Sequence, residues 1–115
     1  MTTTAGRDAS QLDIQYEGPA LSFGGLVGAD FQLHWPHQAQ VECSLTLALD
    51  AREALEAGRA PLSDAEVQAV LQALAVRVYG RMEQSGRTIP AIMTLRARDL
   101  SEDDRRAALV EAGIA

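Results

Sequence analysis

SDAEVQAVLQALAVRVYGRMEQSG, residues 63–86, is the stretch on which the fold turns. Ser63 stands three residues ahead of Glu66, the spacing at which a hydroxyl and a carboxylate cap a helix start reciprocally. Gly86 closes the stretch with the residue that most readily leaves a helix through a left-handed turn. With Val67 at the origin of a helical wheel, Val70, Leu71, Leu74, Val78 and Met82 fall within about 60° of it. The spacing predicts a long helix over 63–85 with a core-facing stripe. Ala69, Ala73, Val76 and Gly80 form a second stripe of small and apolar residues, a face suited to a neighbouring helix or a partner.

Similar punctuation frames two shorter segments. Asp50, Glu53 and Gly58 predict a helix over 51–57, and Ser101, Asp104 and Gly113 one over 102–112. Neither is long enough to be stable alone, so both must dock.

Upstream, the period changes from that of a helix to that of a strand. Leu12, Ile14 and Tyr16 alternate with polar residues, predicting a strand near 12–17 that ends at Gly18-Pro19. Phe31, Leu33 and Trp35 predict another near 30–35. Over 40–49, Val41, Cys43, Leu45, Leu47 and Leu49 alternate with Glu42, Ser44, Thr46 and Ala48, the pattern of a half-buried strand. Residues 89–98 alternate again, with Pro90 favouring an edge or a strand start. The expected fold is α+β: a small antiparallel sheet, which the segment 89–98 is a candidate to join, packed on the long helix. One domain over 12–115 follows a flexible N-terminal tail at 1–11.

Composition narrows the class. The chain has 115 residues, a formal net charge of −6 and 47% hydrophobic residues, enough for a modest aliphatic core. All ten basic residues are arginine, and lysine and asparagine are absent. Both missing residues use A-rich codons, which points to a GC-rich bacterial or phage genome. Residues 61–98 carry five arginines against three acids, between acidic ends. The overall charge argues against general nucleic-acid binding. A single cysteine rules out an internal disulfide framework. The polar start and the lack of a long apolar run predict a cytoplasmic protein without membrane contact.

Four clusters invite a chemical reading. His34, His37 and Cys43 could suggest a metal or thiol–imidazole site, but Pro36 breaks helical H-x-x-H spacing and Cys43 shares the apolar strand face. Gly24-Gly25-Leu26-Val27-Gly28 lacks the spacing of a phosphate loop and reads as a bend. Glu102, Asp103 and Asp104 read as a solvated first helical turn. Arg77 and Arg81 lie one helical turn apart, and Arg96 and Arg98 share one face of the 89–98 segment. Together they would form a basic patch, unless the chain's own acids neutralise them.

The expectation is a small acidic non-catalytic protein-interaction module, such as a modulator, inhibitor, immunity or adaptor protein of a phage or mobile element. Its contact residues would be Ala69, Ala73, Val76, Gly80, Arg77, Arg81, Arg96 and Arg98, and its partner another protein or a second copy. The alternative is a phage structural or assembly subunit that self-associates. A third reading is a small enzyme or ligand-binding domain using His34, His37 and Cys43. No catalytic residue, metal ligand or cofactor is expected.

Overall fold

The computed structural model describes residues 11–20 and 26–115. The expected flexible tail, apart from Gln11, and the glycines Gly24 and Gly25 lie outside the described residues. Three strands, β1 (Asp13–Ala20), β2 (Val27–His34) and β3 (Val41–Leu47), lead into helices α1 (Leu49–Glu56) and α2 (Asp64–Gln84). Strand β4 (Ile92–Leu95), a 3₁₀ turn (Ala97–Asp99) and helix α3 (Glu102–Glu111) follow. The sheet order is β1-β2-β3-β4. The fold is α+β, as the sequence predicts.

The sheet is mixed rather than wholly antiparallel. β1, β2 and β3 pair antiparallel, whereas β4 joins the same sheet parallel to β3. The reason is the connection: a parallel partner needs a long crossover, and α1 and α2 supply it. β4 is also shorter than the alternation at 89–98 implies. Arg96 and Arg98 lie beyond it, at the start and inside of the 3₁₀ turn.

Strand ends shift where backbone pairing overrides the side-chain pattern. β1 continues past Gly18 and Pro19 through a register shift between Tyr16 and Gly18. Pro19 is tolerated there because β1 is an edge strand. Gly28 belongs to β2 rather than to a bend. A β-carbon at this position would lie 3.1 Å from Thr46 Oγ1, so glycine permits close approach of β3. β3 ends at Leu47, and Leu49 opens α1 as an exposed residue instead of extending the inward face.

Helix ends show which sequence signals were complete. Ser63 and Glu66 form the expected capping box, with Glu66 N–H donating to Ser63 Oγ at 3.1 Å and Ser63 N–H to Glu66 Oε1 at 2.9 Å. At the other end, Gly86 takes φ +72°. Its N–H donates to Glu83 O and that of Arg87 to Met82 O, the paired bonds of a Schellman stop. Asp50 does not cap α1. Ala48 holds that position without a side-chain bond, and the Asp50 carboxylate instead accepts from Ala97 N–H at 3.1 Å. Asp50 is the second residue of the helix, in its first turn, where it ties α1 to the 3₁₀ turn. The α1–α2 loop is closed by Glu56, which accepts from Leu62 N–H at 2.8 Å and Arg52 Nε at 3.2 Å. The Leu62 bond is the main reason the Glu56 carboxyl lies below the usual range.

The core lies between α2 and the inner sheet face. Val67, Val70, Leu71, Leu74, Val78 and Met82 are all buried, against Ala29, Phe31, Leu33, Cys43, Leu45 and Leu47. Tyr79 adds a large side chain that the wheel did not single out. Its ring meets Phe31 edge-on at 6.1 Å between centroids. Burial raises the Tyr79 hydroxyl well above its ordinary pKa. Two polar contacts pin α2 lengthwise: Tyr16 Oη donates to Gln68 at 2.6 Å, and Trp35 Nε1 to Glu83 at 2.9 Å. In urea denaturation, Leu74→Ala should lower stability by about 3 kcal/mol. Val76→Ala, on the opposite side of α2, should stay within about 0.5 kcal/mol of the parent.

Candidate interaction surface on the outer side of helix α2

The second stripe of α2 is divided between a neighbour and open surface. Asp104, in the first turn of α3, meets Arg77 and Arg81, while Ala112, just past its end, lies in a depression with Ala69 and Ala73. The two helices are therefore antiparallel. Ala108 is fully buried and Ala73 nearly so. α3 thus takes the neighbouring-helix place beside Ala69 and Ala73. Val76 and Gly80 lie outside that contact: Val76 is 56% exposed and Gly80 half-buried. With Arg77, Arg81 and Gln84 they line a shallow groove of about 320 Å³.

The position of α3 depends on Asp104, the residue at which the sequence reading needs its largest correction. Its side chain is 1% exposed, not solvated. The carboxylate accepts from Arg77 Nε at 3.1 Å, from Arg81 at 3.0 and 3.1 Å, and from Ser101 N–H at 3.1 Å. Ser101 Oγ accepts in return from Asp104 N–H at 3.0 Å. One carboxylate therefore completes a capping box and receives two guanidinium groups. Burial alone would raise its pKa. The Ser101 N–H and the Arg81 and Arg77 guanidiniums outweigh that and hold it below the usual carboxylate range. Glu102 and Asp103 stay exposed, as expected.

A sequence signal for this contact exists. Arg77 and Arg81 are like charges one turn apart, and no acid stands three or four residues from either on α2. Such a pair is mildly destabilising by itself and is relieved by a carboxylate from another element, which the sequence does not name. Both guanidiniums keep contact with water, at 34% and 55% side-chain exposure. Two cations on one anion leave a local positive excess beside the open groove.

Arg77 and Arg81 converge on Asp104, whereas Arg96 and Arg98 are exposed and have no ion pair among the described residues. His34 and Cys43 lie on opposite faces of the sheet, and His37 is exposed between β2 and β3. Cys43 is buried on the inner sheet face, and burial pushes its thiol up. His34 alternates with inward Leu33 and is exposed, so it projects from the other face. Among the described residues no group of three or more His, Cys, Asp or Glu side chains is placed to hold a metal ion. None of their helices is long and apolar enough to cross a membrane. No protein-family model, curated protein sequence or solved structure matches this chain.

The clamp has a pH signature. A carboxyl whose pKa is lowered on folding stabilises the fold above its unfolded value of about 3.9, and that contribution is lost as pH falls through the folded value. Asp104→Asn should therefore lower stability by about 1–3 kcal/mol at neutral pH. The gap to the parent should close progressively below about pH 4. Urea titrations of both proteins from pH 7 downward test this.

Proposed function

We propose that this protein is a small non-catalytic protein-interaction module that meets its partner with the outer side of α2. One observation carries the reading. A half-exposed valine and a half-buried glycine, one helical turn apart, form an apolar strip in a groove walled by Arg77 and Arg81. Gly80 removes side-chain bulk and lets a partner approach the helix closely, while Val76 offers apolar area to bury. The arginines add directional donors at the rim, suited to carboxylates. A modulator, inhibitor, immunity or adaptor role would use such a surface.

A photocrosslinking residue at position 76, installed in cells that make the protein, tests the reading. An adduct with a different protein is expected, competed by excess unmodified chain and missing when the crosslinker replaces exposed Glu53. An adduct with a second copy would favour the self-associating subunit instead. Equal labelling from both positions would remove the α2 surface from consideration.

A further inference from the structure

β4 is an edge strand, and its bonds to β3 fix which backbone groups face away. Ser44 N–H donates to Ala91 O at 2.8 Å, and Ala48 N–H donates to Leu95 O at 2.9 Å. Backbone groups alternate in direction along a strand, so Ala91, Met93 and Leu95 face β3. Ile92 and Thr94 direct their N–H and C=O groups outward, where no partner stands among the described residues. The next outward donor, Arg96 N–H, is closed off by the Asp99 carboxylate at 2.8 Å. Ile92 is 74% exposed, the most open large apolar residue of those described.

The space beside this edge has a chemical character. A depression of about 140 Å³ lies between β4 and the C-terminal half of α2. Val78, Met82 and Met93 give it an apolar floor, and Arg81, Arg87 and Asp99 also line it. Arg87 is exposed and has no ion pair among the described residues, and Arg96 and Arg98 follow at the strand's end. A chain of net charge −6 thus carries a local arginine excess beside β4.

We propose that the β4 edge binds an extended acidic segment of another protein, which adds a fifth strand beside Ile92 and Thr94. Main-chain bonds to the two outward residues would supply affinity. Alternate side chains of the added strand point to the inner face, where an apolar residue would cover Met93 and acids on either side of it would meet Arg81 and Arg87. This rests on the reading of the chain as an interaction module, and of the residues lining the α2 groove it uses Arg81 alone.

The full chain and the peptide acetyl-Thr-Glu-Thr-Leu-Thr-Glu-Thr-amide test it by residue-resolved amide hydrogen exchange. In the free chain, the Ile92 and Thr94 amides should exchange quickly while those of Met93 and Leu95 are protected. Saturating peptide should slow Ile92 and Thr94 at least tenfold, and a version with lysine for glutamate should not. Arg87→Glu should weaken binding at least tenfold with an unchanged circular dichroism spectrum. Val76→Glu should leave it unaltered, which separates this edge from the α2 groove. Protection of Ile92 and Thr94 in the free chain would overturn the proposal. So would equal binding of the lysine peptide, or no protection at saturation. Displacement of the peptide by a polyuridine oligonucleotide, without strand protection, would overturn it in favour of nucleic-acid contact.

Discussion

A buried carboxylate shared by two guanidiniums and a helix cap is the contact on which the helical layer depends. Asp104 is the one buried charged residue among those described. A lone carboxylate in that position would carry a desolvation penalty of several kcal/mol. Here every acceptor direction is used, by groups from two helices at once. The same bonds that start α3 also dock it, so forming the helix and placing it are coupled. This coupling answers the weakness of a ten-residue helix, which would be marginal in water on its own.

Docking α3 in this way shapes the rest of the surface. It covers the flank of α2 at Ala69 and Ala73 and leaves Val76 and Gly80 open. It occupies two arginines with one acid, so the middle of the chain keeps a positive excess while the protein as a whole is acidic. The parallel β4, brought back to the sheet by the α1–α2 crossover, sets its outward backbone beside that excess. The apolar strip, the open edge and the arginine rim all follow from how one helix is anchored and one strand returned.

What was legible in the sequence was local. The cap at Ser63, the stop at Gly86 and the stripe from Val67 to Met82 are encoded within a few residues of one another, and all appear as read. Cys43 was likewise placed on the inner face by simple alternation. Non-local features escaped. Asp104 already had a local role as the acid of a capping box, so nothing demanded burial until α3 met α2. Asp50 looked like a cap because spacing alone cannot tell the cap from the first turn. The direction of β4 depends on a crossover, not on its own side chains. For the candidate surfaces, the sequence singled out Val76, Gly80 and the arginines. It could not show that two of those arginines were already engaged, or that Ile92 and Thr94 would face outward.

The most direct measurement of this account is a double-mutant cycle between Asp104→Ala and Arg77→Ala, read by urea denaturation at neutral pH. If the carboxylate anchors α3 through the arginines, the coupling energy should be about 1–3 kcal/mol and should fade in acid, where Asp104 is protonated. A coupling below about 0.5 kcal/mol, or one unchanged in acid, would mean that apolar packing around Ala108 holds the helix and the clamp does not.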